Sequence, residues 1–290
     1  MQAVSYAAGG LSMSSTLNYQ EWKNRHRQIL ESLPGKRLMM FFSGGKDSSL
    51  VLHFIQKAGD EFRFSFETHA GIYPHHVYSS SDRDALDRYW KSRGVEINWH
   101  EIQESDDRLA SSLAEGVSPC LICNTAKKKA LMDYMRKLPI DMNSLVIVMS
   151  YSLWDLVSAT IEHTLGAVYA GADASSPVRH KSTEERFYET AQRFYPLLKL
   201  KDGFSIFKPL IYYNDQEIMR VISDEGIPLL STTCHYGTYR PKRLFAQYYE
   251  QMGLRFDFEK VFRFAQTALH VPDENFFTQM GEDRYLKKLI

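Results

Sequence analysis

Apolar positions along this chain change their spacing in a regular way. Over Tyr19–Leu33 they recur at helical intervals, with Trp22, Ile29, Leu30 and Leu33 opposite a basic face. That predicts an amphipathic helix, ended by Pro34-Gly35. Arg37–Phe42 is then a short apolar run that reads as a buried strand. Ser49–Ala58 returns to helical periodicity, with Gly59 as its stop. Phe62–Thr68, Val95–Glu101 and Ser144–Met149 read as further strands, and Asp82–Ser92, Ala126–Lys137 and Leu156–Leu165 as helices. Strands and helices in alternation predict an α/β fold: a doubly wound, mainly parallel sheet covered on both faces.

The pattern lapses between Gly166 and Asp202, where small, charged and Ser/Thr-rich residues predominate. A stretch of that length predicts a mobile lid or insertion over 166–202. Phe204–Pro209 then reads as a strand end, and Asp215–Glu225 as a helix stopped by Gly226 and Pro228. From Pro241 onward the chain is helical and aromatic-rich, which suits a small cap or the contact of a homodimer. The expected organisation is a flexible tail over 1–18, a main domain over 19–235 and a helical extension over 236–290.

Composition narrows the partners. Apolar residues are 44% and charged residues 24% of 290, the mix of an ordinary globular protein. With 35 basic and 35 acidic residues the net charge is +0, so nucleic acid would have to be met by a local patch. Lys127-Lys128-Lys129, Arg136-Lys137 and the group Arg240, Lys242 and Arg243 are the candidates, each equally readable as a solvated helix face. No apolar stretch is long enough to span a bilayer, and Met1–Thr16 lacks the pattern of a secretory signal. No membrane association is expected, and the expected location is cytoplasmic.

Two features carry chemistry. The first is the run Ser43-Gly44-Gly45-Lys46-Asp47-Ser48-Ser49, between an expected strand and an expected helix. Consecutive glycines let the backbone turn tightly and present N–H groups to phosphate oxygens, reinforced by the helix N-terminus. Hydroxyls of Ser43, Ser48 and Ser49 add donors, and Lys46 adds positive charge. Asp47 suits magnesium or loop orientation better than phosphate. A glycine turn leading into a capped helix is the plainer alternative.

The second feature is the cysteines: Cys120 and Cys123 as a C-x-x-C pair, and Cys234 far downstream beside His235. An odd count with this spacing points to metal or redox chemistry more than to disulfides. Three thiolates suit a [4Fe-4S] cluster with one open iron. Zinc would require a fourth ligand such as His235. A thiol redox pair, with Cys234 as a small buried apolar residue, also fits.

The Ser43–Ser48 run resembles the SGGxDS signature of the PP-loop ATP pyrophosphatases, whose adenine nucleotide alpha hydrolase-like fold is doubly wound. Taken with Cys120-x-x-Cys123, Lys208-Pro209-Leu210, Asp215-Gln216-Glu217-Ile218 and Gly226-Ile227-Pro228 before Cys234, the chain looks like the tRNA 2-thiolation enzymes of that superfamily. The 2-thiocytidine synthetase type is the nearest likeness. The likeness covers about Arg37 to Arg243. It implies ATP cleavage to AMP and pyrophosphate with Mg2+, and a [4Fe-4S] cluster on Cys120, Cys123 and Cys234. It also implies a tRNA substrate and a sulfur donor, either sulfide or a cysteine desulfurase-derived persulfide. Asp47, the three cysteines and Asp155 are the implied catalytic residues.

Two segments depart from the family pattern. Its Gly-His-His-x-Asp-Asp segment is replaced by Ser150-Tyr151-Ser152-Leu153-Trp154-Asp155, which keeps only the second Asp. Its arginine cluster after C-x-x-C is replaced by Lys127-Lys128-Lys129. Both changes bear on the substrate side. The same chemistry on a small metabolite is therefore the alternative, as is a nucleotide-binding protein with zinc or no metal.

Overall fold

The computed structural model describes residues 16–72, 79–102, 106–139, 141–169, 183–201, 203–230, 234–237 and 241–281. In chain order the elements are α1 (Tyr19–Glu31), β1 (Arg37–Phe41), α2 (Lys46–Phe62), β2 (Phe66–Ile72), α3 (Ser80–Lys91) and β3 (Ile97–Glu101). They continue with α4 (Asp106–Ser111), α5 (Pro119–Lys137), β4 (Leu145–Val148), α6 (Leu153–Tyr169), α7 (Thr183–Ala191), β5 (Leu197–Lys199) and β6 (Ser205–Phe207). The last are α8 (Asp215–Asp224), α9 (Pro241–Gln251), α10 (Phe258–Ala268) and α11 (Glu274–Thr278).

The strands form one sheet in the order β3-β2-β1-β4-β6-β5, parallel throughout except for the antiparallel edge strand β5. From β1 the chain winds outward through β2 to β3, then crosses back to place β4 on the other side of β1. The C-terminal ends of β1 and β4 therefore flank a topological switch point, where open α/β sheets leave a crevice for ligands. The run Ser43–Ser49 leaves β1 at that point.

Alternation along the central strands explains the two layers. Leu38, Met40, Phe42, Val146 and Val148 point into a core that includes Trp22, Phe54 and Trp90. Met39, Leu145 and Ile147 point the other way, into a core with Met132, Phe194 and Leu198. Both faces are covered, as a parallel sheet requires.

Several sequence-based boundaries move, each for a local reason. Helix α2 passes through Gly59 and ends at Arg63 in the left-handed region (φ 59°). Gly59 is needed for space: an added Cβ would lie 3.0 Å from the Phe64 carbonyl oxygen. Strand β2 consequently begins at Phe66, four residues later than expected. Helix α5 begins at Pro119, so the cysteine pair lies on its first turn and not before the helix. The expected irregular stretch over 166–202 is also corrected in its second half. Thr183–Ala191 is helical, Leu197–Lys199 pairs with β6, and Ala191, Phe194 and Leu198 are fully buried. Residues 170–182, the centre of the expected lid, lie outside the described residues.

The C-terminal helices share the core of the main domain. Phe258, Ala265, Val271, Phe277 and Met280 pack in the same cluster as Ile147 and Ile206. Lys201 also donates its N–H to the Met280 carbonyl. Among the described residues no helix is long and apolar enough to cross a membrane.

Candidate functional site

The loop after β1 owes its shape to its own residues. Gly44 sits at φ 70°, which favours glycine, and Gly45 is the N-cap of α2. The Ser48 hydroxyl is buried; it donates to the Gly45 carbonyl (3.0 Å), accepts from Ser43 N–H (3.2 Å) and meets Ser43 Oγ at 3.0 Å. Ser49 is fully buried, and its Oγ has no hydrogen-bond partner among the described residues. Leu230, two residues past the Gly226-Ile227-Pro228 segment, donates its N–H to the Gly44 carbonyl at 2.8 Å. Ser48 thus shapes the loop, which runs directly into the N-terminus of α2.

Lys46 is gripped by two carboxylates, Asp47 Oδ1 at 2.6 Å and Asp215 Oδ2 at 2.8 Å. Burial works against its charge, but these two neighbours outweigh it and hold the ammonium above its ordinary pKa. Burial raises the Asp215 carboxyl; Lys46 pulls it down, and Asp47 pushes it up again. The other Asp215 oxygen accepts from the Ser152 hydroxyl at 2.8 Å. Ser152 and Asp155 then cap α6 reciprocally. Asp155 N–H donates to Ser152 Oγ (3.3 Å), and Ser152 N–H to Asp155 Oδ2 (3.2 Å). Asp155 is buried, and its Oδ1 is ion-paired with Lys242 from α9.

The structure therefore joins Asp47 to Asp155, both named from the sequence, through Lys46, also named, and through two residues given no role in the site from the sequence, Asp215 and Ser152, with Lys242 at the far end. Asp215 stood only in a matched segment, Ser152 only in a departure from the family pattern, and Lys242 only in a basic patch. One signal was available for Asp215: it opens the helix after β6, at the strand-end edge where the Ser43–Ser49 loop lies.

The cysteines lie on the same edge of the sheet. Cys120 and Cys123 are buried on the first turn of α5, and Cys234 is half-buried in a short turn closed by Gly237 N–H donating to its carbonyl (3.0 Å). Cys120 Sγ donates to the Tyr236 carbonyl (3.3 Å), and Tyr236 packs on the cluster of Cys123, Ile102 and Leu109. The turn carrying Cys234 thus rests against both members of the pair. No three His, Cys, Asp or Glu side chains among the described residues are gathered closely enough to hold a metal ion. The three thiols have the donor chemistry of a three-thiolate centre, although the structure does not gather them into one.

The other basic candidates differ in character. Lys129 pairs with Asp133, and Arg136 lies 3.7 Å from the same carboxylate, so both belong to a solvated helix face. Lys127 packs over Gly71 of β2, where an added Cβ would lie 3.3 Å from its Cγ. Lys128 lines an apolar cleft below the ends of β1 and β4, with Phe41, Met132, Ile147, Met149 and Phe204. Arg240 lies outside the described residues.

Neither a protein-family model nor a curated protein sequence matches the chain. Solved structures do. The U34-tRNA thiolase from Methanococcus maripaludis, solved with its [4Fe-4S] cluster, aligns over 80% of this chain and 72% of its own, with TM-score 0.54 and 16% identity. NAD+ synthetase from Burkholderia Pseudomallei aligns over 88% and 90%, with TM-score 0.46 and 15% identity. The phosphoadenylyl-sulfate reductase from Candida auris aligns over 76% and 90%, with TM-score 0.42 and 12% identity. The thiolase likeness agrees with the observed topology: the chain shares a doubly wound α/β fold with that structure.

Proposed function

We propose that the chain is an ATP-dependent, AMP- and pyrophosphate-forming sulfurtransferase that replaces a carbonyl oxygen with sulfur, on a tRNA base. The observation that carries this reading is the glycine loop at the switch point, with Lys46 bracketed by Asp47 and Asp215. The cysteine pair and the Cys234 turn on the same edge support the sulfur half. The thiolase with the same fold supports the substrate class.

The chemistry follows from the parts. A ring carbonyl oxygen is a poor leaving group. In the first step that oxygen attacks the α-phosphorus of ATP, the bond to the β-phosphate oxygen breaks, and pyrophosphate departs. The N–H groups of Gly44, Gly45 and the first turn of α2 hold the polyphosphate, and Lys46 takes up the charge that develops on the leaving group. Asp47 and Asp155 would hold the accompanying Mg2+, with Asp215 beside them. In the second step sulfide adds to the activated carbon, the carbon–oxygen bond breaks, and AMP leaves with the original oxygen. The sulfide arrives as such, or is released by a thiol from a cysteine desulfurase-derived persulfide.

Cys120, Cys123 and Cys234 would hold a [4Fe-4S] cluster, which when bound supplies a site for sulfide at the iron no cysteine ligates. A small metabolite is the second reading for the substrate. It is favoured by the zero net charge and by the local pairing of Lys129 and Arg136.

Product analysis tests the reading. With Mg2+, substrate and a sulfide source, the enzyme should release AMP and pyrophosphate. ADP and phosphate instead would remove it from the class. A deletion strain should lack one thionucleoside in its tRNA, and an unchanged nucleoside profile would move the substrate to a metabolite.

A further inference from the structure

The phosphate loop is joined to the C-terminal helices by a charge chain with no counterpart in the motifs read from the sequence. It runs from Asp47 to Lys46, to Asp215, through Ser152 to Asp155, and ends on Lys242. Four helices contribute: α2, α8, α6 and α9. Three carboxylates face two ammonium groups, leaving one negative charge in excess beside a loop built to receive polyphosphate. With no nucleotide bound, such a cluster would repel an anion unless its lysines were transferred to it.

Lys242 is suited to that transfer. Its side chain is 49% exposed, whereas the Asp155 carboxylate it meets is 4% exposed. Asp47 and Lys46 lie near enough to act on the charge of Lys242 in opposite directions. The ion pair is not needed to dock the helix, because α9 is anchored further along by Tyr249. That residue is 2% exposed, accepts from the Ser158 hydroxyl at 3.4 Å and packs on Trp154 and Phe256. Arg243, next to Lys242, packs against Gly237 in the Cys234 turn, which fixes the start of α9 between the cysteines and the loop.

We propose that Lys242 is a second polyphosphate-binding lysine, supplied by the C-terminal helices, which leaves Asp155 for the β- and γ-phosphates when a nucleoside triphosphate enters. The proposal rests on the nucleotide reading above. It adds that the triphosphate site is incomplete without α9. Both lysines then leave their carboxylates together, and the freed carboxylates face the incoming magnesium.

Equilibrium binding of ATP and AMP with Mg2+ to the full chain tests it, using K242M and K242R. Removing one charge-assisted hydrogen bond to phosphate should weaken ATP binding by about tenfold or more in K242M. AMP affinity should stay within about twofold, since AMP lacks the phosphates concerned, and K242R should keep most of the ATP affinity because the charge is retained. K242M also strands the buried Asp155 carboxylate, so its melting temperature should fall, and the ATP-against-AMP comparison reads the phosphate contact separately. ATP affinity unchanged in K242M, beside a wild type that binds ATP, overturns this inference alone. Equal losses for ATP and AMP would make Lys242 a structural pin and also overturn it. A wild-type chain that binds no ATP removes the nucleotide reading itself.

Discussion

Ser48 is a motif residue whose hydroxyl is engaged by the loop itself. Its hydroxyl closes the loop onto Gly45 and Ser43, so Ser48→Ala should destabilise the fold by about 1–2 kcal/mol. It should also weaken ATP binding through a loosened loop. Thermal unfolding and nucleotide titration on one sample check both effects, and unchanged ATP affinity would show that the loop holds its shape without the hydroxyl. His26 makes a second residue-scale case. Burial holds its pKa down at about 4, and its Nε2 meets the Pro209 carbonyl at 2.9 Å, so it sits neutral in the fold and donates that bond. Between about pH 6.5 and 4 the unfolded chain binds a proton that the folded chain refuses, so stability falls as pH falls through that window. The shift corresponds to roughly 3 kcal/mol by pH 4. Denaturant titrations at pH 7 and 4.5 should show a smaller acid loss in His26→Gln than in the wild type.

At the scale of elements, the first turn of α5 decides the fate of the cysteines. A proline at the first helical position starts the helix early enough to bury Cys120 and Cys123 three residues apart on one face. The hydrogen bond from Cys120 to Tyr236 then draws in the turn that carries Cys234. Each of Cys120→Ala, Cys123→Ala and Cys234→Ala should therefore abolish a reconstituted brown chromophore and sulfur transfer, while ATP binding stays within about twofold. Iron and zinc analysis of anaerobically purified protein is the check. One zinc per chain in a colourless protein, lost in the same variants, would transfer the site to zinc.

For the whole molecule, the question is whether the C-terminal helices are a separable cap. Phe277 is fully buried in the cluster that holds Phe194, Leu198 and Ile206. Asn214, at the N-terminus of α8, also exchanges hydrogen bonds with the Phe256 backbone at 2.8 and 2.9 Å. Phe277→Ala should accordingly cost about 3–5 kcal/mol and shift a single cooperative unfolding transition. Two transitions, with only the smaller one shifted, would make 236–290 an independent extension.

The sequence alone determined the parts whose physics is local. A glycine pair between an apolar strand and a helix forms a tight turn into a helix N-terminus wherever it lies, and strict alternation of strands and helices leaves few arrangements other than a covered parallel sheet. The positions of Ser43–Ser49, Asp47, the cysteine pair and the doubly wound fold were therefore legible. Boundaries were less so, because Gly59 reads as a helix stop until the Phe64 carbonyl is seen lying over it. The packed segment around Phe194 and Leu198 was hidden because its burial comes in part from helices about 70 to 90 residues downstream. Only the tertiary structure decided that Lys46, Asp215, Ser152, Asp155 and Lys242 form one chain of charges. They come from four helices separated by long stretches of sequence. Coulomb and hydrogen-bond forces act over ångströms in space, so no spacing along the chain records their meeting.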